Sequence, residues 1–117
     1  MFVKDVTSQD GVIFSEGVIP ENLDLFKDHF PEFPVVPGVL LLEIMRESVE
    51  RYKHAPVRIK RISSLRFSHF LKPGVPWRAR VEFSFEHDQI SECRGTVRQR
   101  DNNITVASAQ FVLDYSE

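Results

Sequence analysis

The chain holds one stretch that reads as a helix, about Gly38 to Lys53, and nearly everything after it alternates like strand. Pro37 suits the opening of that helix, because its missing N–H would have no intrahelical partner. The first turn and a half is apolar on every side except Glu43, so this helix start must be surrounded by protein. Beyond Pro56 the clearest signal is Trp77, Ala79, Val81, Phe83 and Phe85 alternating with Arg78, Arg80, Glu82, Ser84 and Glu86. A lone helix cannot supply the repeated crossovers of a parallel sheet. It can be the core around which one antiparallel sheet curls. The expectation is an α+β chain with the hotdog fold, a sheet wrapped around a single central helix, spanning residues 1–117 as one domain.

The remaining elements follow from local chemistry. Val12 to Ile19 reads as the first strand, stopped by Pro20. Residues 21–37 form a loop with a helical turn around Leu23 to Lys27. Pro31, Pro34 and Pro37 stiffen that loop. His54-Ala55-Pro56 ends the helix, and Arg46–Glu50 and Glu47–Arg51 are spaced to pair on its exposed face. Ile59, Arg61, Ser63, Leu65 and Phe67 share one face of the next strand. Lys72 to Pro76 turns the chain, and His87-Asp88-Gln89 and Asp101-Asn102-Asn103 are hairpin turns around a polar strand. Ile104 to Tyr115 closes the meander.

Composition matters mainly for what it excludes. A net charge of −2 gives no general pull toward nucleic acid or an anionic membrane. Cys93, the one cysteine, rules out an intramolecular disulfide framework, and no defensible ligand spacing points to a metal. No basic region followed by an apolar run marks a signal peptide, and a cytoplasmic setting is expected.

Chemistry concentrates between His29 and Glu43. An imidazole suits proton transfer near neutral pH. A helix start at Gly38 offers unpaired N–H groups to an oxygen that gains negative charge. Glu43, set in an apolar run, would have its carboxyl raised by burial and by Glu47 one turn on. Each also has a plain structural explanation. His29 can be a surface residue, Pro37-Gly38 can simply open a helix, and Glu43 and Glu47 can share an exposed stripe.

The run His29-Phe30-Pro31-x-x-Pro34-Val35-x-Pro37-Gly38-Val39-Leu40-x-x-Glu43 resembles the signature of the 3-hydroxyacyl-[acyl-carrier-protein] dehydratases of bacterial fatty-acid synthesis. The likeness is strong from Phe26 to Met45 and weaker through Arg66-Phe67 and Lys72-Pro73-Gly74. It implies a hotdog homodimer, or a larger assembly of dimers, whose sites take His from one subunit and the acid from the other. It implies dehydration of a 3-hydroxyacyl thioester, carried on acyl carrier protein, to a trans-2-enoyl thioester without a cofactor. His29 would take the C2 proton, Glu43 would protonate or orient the C3 hydroxyl, and the Gly38 N–H would hold the thioester carbonyl. Phe30, Pro37, Val39 and Glu47 would position substrate. Lys72, Arg78 and Arg80 would meet the acidic carrier protein.

Two departures set this chain apart. Asp28 stands where the family usually has Gly, and Glu47 where it usually has Gln. They suggest a divergent or specialised member. They also keep two other readings open: a hotdog thioesterase with Glu43 activating water, and a non-catalytic subunit that binds acyl carriers.

Overall fold

The structure is a computed structural model that describes residues 2–24, 26 and 34–115. His29 and Phe30 lie outside the described residues, as do Leu25 and Lys27 of the expected turn at Leu23–Lys27. The elements are β1 (Val3–Gln9), β2 (Val12–Gly17), α1 (Gly38–Lys53), β3 (Arg58–Phe67), β4 (Trp77–His87), β5 (Ile90–Gln99) and β6 (Thr105–Asp114). The six strands form one antiparallel sheet in the order β1-β2-β4-β5-β6-β3, and α1 packs against every strand. This is the hotdog arrangement expected.

The helix runs over the expected span. Pro37 precedes it in extended conformation (φ −61°, ψ 147°), and His54 ends it in the left-handed region with its N–H on the Glu50 carbonyl. Leu41, Leu42, Ile44, Met45 and Val49 are buried against Ile13, Trp77, Val81, Val97 and Phe111 from the sheet. Burying side chains of this size contributes about 1.5–3 kcal/mol each. Gly95 lets the helix approach: a Cβ there would stand 2.7 Å from the Met45 sulfur.

One strand is additional to those expected. β1 pairs along β2 through the tight turn Asp10-Gly11, whose φ values are 52° and 79°. Asp-Gly favours just this kind of hairpin turn, because both positions need positive φ. The strand it joins is mostly polar, which hid it. The hairpins at Asp88 (φ 49°) and Asn103 (φ 60°) stand where they were expected.

Two face assignments change. Trp77, Ala79, Val81 and Phe83 face the helix as expected, but a bulge between Phe83 and Phe85 sets Phe85 opposite Glu92 on the outer face. Phe85 is accordingly 53% exposed. Bulges on β3, between Ile59 and Arg61 and between Ile62 and Ser64, likewise break the expected common face. Arg61 pairs with Val112 on the outer face, while Ile62, Leu65 and Phe67 pair with Phe111, Ala109 and Ala107 on the helix side. An extra residue in one strand shifts every later side chain to the other face.

A close contact at the β2–β4 end gives a direct check on this packing. A Cβ at Gly17 would lie 2.3 Å from the Phe2 carbonyl oxygen and 2.8 Å from the buried Trp77 ring. Neither group can retreat without moving backbone or core. Gly17→Ala is expected to cost about 1–3 kcal/mol in urea unfolding. A cost below about 0.5 kcal/mol would contradict this packing.

Candidate functional site

The start of α1 forms one wall of a cleft of about 380 Å³ lined by Pro37, Gly38, Leu41, Phe67, His69 and Phe70, among others. The helix opens without a side-chain cap and without an acid in its first turn. Its first N–H groups therefore keep their partial positive character. The Leu40 N–H already bonds the Pro37 carbonyl at 3.0 Å, so the donors that remain sit at the very start. Gly38 does not leave empty space, however. A Cβ there would stand 2.3 Å from the Phe67 ring, so this chain's own ring occupies the room the glycine provides.

Glu43 is not the buried acid expected from its apolar neighbours. Its side chain is 39% exposed, and both its oxygens accept from Arg46, at 2.5 Å from the terminal nitrogen and 2.9 Å from Nε. Arg46 also donates to Glu50 at 2.7 Å and to the Val57 carbonyl at 2.9 Å. The hydrogen bond to Glu43 is the main reason the Arg46 pKa is raised. Val39, Glu43, Arg46 and Glu50 thus make a stripe along the helix that the sheet leaves uncovered, and Val39 is 70% exposed. Glu43 lies on this stripe and does not line the cleft at Gly38. Arg46 as the partner of Glu43 was missed in the sequence, although its i+3 spacing is a usual pairing distance.

Glu47 has a different task from the one expected. It is buried, 4% exposed, and accepts the N–H of Phe2 at 2.9 Å and of Val3 at 3.3 Å. Burial pushes this carboxyl up. Donors at the start of the chain, these two N–H groups among them, push it further down, so it sits below its ordinary value. Glu47 thus points at the β1 end. Nor does Glu47 form an ion pair with Arg51 among the described residues; Arg51 donates to the Val3 carbonyl instead. Both side chains secure the strand the sequence reading missed.

The cations proposed for the carrier protein are not gathered at the cleft. Arg78 and Arg80 alternate with the buried Trp77 and Ala79, so they stand on the outer face. There Arg78 lies 3.7 Å from Glu16, and Arg80 lies 3.2 Å from Glu82. Lys72 follows Leu71, whose carbonyl accepts the Val36 N–H at 2.7 Å beside the cleft. Cys93 is buried, and burial raises its thiol pKa to about 12, which suits a packing role. Among the described residues, no helix is long and apolar enough to cross a membrane.

Comparison with known proteins agrees with this architecture. The family described as ApeI-like, ApeI dehydratase, matches residues 5–108. The chain is 28% identical over 99 residues to the 3-hydroxyacyl-[acyl-carrier-protein] dehydratase FabZ of Halalkalibacterium halodurans, covering 79% of this chain and 71% of the relative. It resembles the structure of the dehydratase heterocomplex ApeI:P from Xenorhabdus doucetiae with a TM-score of 0.72 at 18% identity, covering 96% of each chain. It also resembles mouse thioesterase superfamily member 2, TM-score 0.72 at 9% identity, covering 96% of this chain and 81% of that one. At such identities the structural likenesses speak for the fold alone.

The role found for Glu47 has a pH signature. Its folded pKa lies below the unfolded value, so its contribution is full above the ordinary carboxylate range and is lost as pH falls through the folded value. Acid unfolding of the native chain should therefore include a loss of stability below about pH 4. Glu47→Ala should cost roughly 1–3 kcal/mol at pH 7 and flatten that part of the profile. Urea titrations at pH 7 and pH 3 check both; an unchanged acid profile in the variant would remove Glu47 from this role.

Proposed function

Because the chain belongs to the ApeI-like dehydratase family, we propose that it removes water from 3-hydroxyacyl thioesters presented on acyl carrier protein. The observation that carries this reading is the uncovered stripe on α1. An exposed Val39 and an oriented carboxylate at Glu43 share it, while the Gly38 cleft opens elsewhere in the same chain. A second subunit laid along that stripe would cover Val39 and bring its own histidine loop to Glu43. Ile62, Leu65 and Phe67 on the edge strand β3, together with Phe70, extend the apolar surface that such a partner would bury.

The proposed reaction uses His29, Gly38 and Glu43. A thioester carbonyl bonded to the Gly38 N–H acidifies C2. His29 takes the C2 proton, and the electron pair left behind forms the C2–C3 double bond. The C3–O bond breaks, and the proton held by His29 passes to the departing oxygen, giving water. Glu43 accepts from the C3 hydroxyl and fixes its direction. Its oxygens keep lone pairs for this after bonding Arg46. Orientation therefore suits it better than proton donation.

A non-identical hotdog partner is the second reading, favoured by charge on β3. That strand carries Arg58, Lys60, Arg61 and Arg66 and no acid. Pairing it with its own copy would set like charges near one another, which costs stability. A partner with an acidic edge would not meet that cost. The ApeI:P neighbour is itself a heterocomplex.

An assay with purified protein and carrier-bound 3-hydroxyacyl thioesters tests the reaction by following enoyl product and free thiol separately. Enoyl formation without thiol release is expected. His29→Ala and Glu43→Gln should each lower it at least about 100-fold. Thiol release without enoyl product would instead mark a thioesterase. Neither product, from the chain alone or mixed with a hotdog partner, would mark a binding subunit.

A further inference from the structure

The cleft at the helix start holds a histidine that the dehydration scheme does not use. His69 lines it alongside Ser68, while Val35, Val36, Pro37, Leu41 and Phe67 make most of the remaining wall apolar. In such a cleft a few polar groups fix how a ligand lies. The segment that carries His69 is pinned on both sides. The N–H groups of Ser68 and His69 reach the Val106 carbonyl at 2.8 and 3.3 Å. Gln99 donates to the Phe70 carbonyl at 3.2 Å, and Val36, two residues before the helix, donates to the Leu71 carbonyl at 2.7 Å.

The ring's contacts with Phe70 follow its tautomer. Nδ1 of His69 lies 3.0 Å from the Phe70 N–H and 3.3 Å from the Phe70 carbonyl oxygen. The 3.0 Å contact with the Phe70 N–H is made by the tautomer whose Nδ1 accepts. With Nδ1 accepting, the neutral ring carries its hydrogen on Nε2. In that tautomer Nε2 can donate a hydrogen bond.

We propose that His69 is a positioning residue that captures the thioester-bearing arm of the substrate by donating from Nε2 to an amide carbonyl of that arm. This rests on the thioester reading above. A pantetheine-type arm carries amide carbonyls; a plain alkanethiol ester of the same acyl group carries none. His69 would therefore distinguish the two by the arm and not by the acyl chain.

The test compares 3-hydroxyacyl esters of pantetheine and of an alkanethiol on wild type, His69→Ala and His69→Gln. In wild type the pantetheine ester should have the lower KM. His69→Ala should shrink that preference about tenfold, the loss of one good hydrogen bond. His69→Gln, whose amide N–H can replace Nε2, should restore most of it. A preference unchanged in His69→Ala would overturn the assignment. A second measurement does not need turnover: titration with a saturated acyl-pantetheine, followed by the His69 ring resonances in NMR. Binding that shifts these resonances in wild type, and is about tenfold weaker in His69→Ala, supports the proposal even if no enoyl product forms. Binding that leaves them unmoved overturns it, while enoyl formation separately decides the reaction.

Discussion

Burial of one helix organises the molecule. The start of α1 is too apolar to meet water on most sides, and one antiparallel sheet is the cover available to a chain of this length. Wrapping a sheet around a helix brings the end of β3 and the start of β6 toward the helix start. It also leaves a stripe that one sheet cannot reach. Cleft and stripe both follow from the same packing problem.

The two glutamates one turn apart show how little a residue type says without its surroundings. Glu43 and Glu47 are separated by a single helical turn, yet one is half-exposed beside Arg46 and the other is buried on backbone N–H groups. The resemblance made Glu47 a departure at a substrate-positioning place. In the structure it has become the anchor of β1, and Arg46 holds the carboxylate that mattered. Arg51 does the same work for β1 from the next turn, through the Val3 carbonyl.

Much of the fold was legible because it rests on local periodicity. The bounds of α1, the hairpins at Asp88 and Asn103 and the alternation from Trp77 to Phe83 are all set within a few residues. β1 was missed because a polar edge strand has weak alternation, although Asp10-Gly11 marked its turn. The faces of Phe85, Arg61 and Ile62 were misread because bulges depend on the neighbouring strand. For the site, the sequence pointed to Gly38 and its helix start. It could not show that Phe67 fills the adjoining space or that His69 shares the cleft, since both arrive from beyond Pro56.

By itself the sequence determined the single wrapped helix, the strand meander and the run from His29 to Glu43 that marks the family. These are written in short-range patterns: period, proline and glycine placement, and fixed spacing. Only the tertiary structure decided which acid is exposed, which is spent on β1, and which imidazole shares the cleft at the helix start. The last two depend on partners 30 or more positions away, Phe2 for Glu47 and Val106 for the His69 segment. Burial and hydrogen bonding set the chemistry of an ionisable group, and both are properties of the folded surroundings.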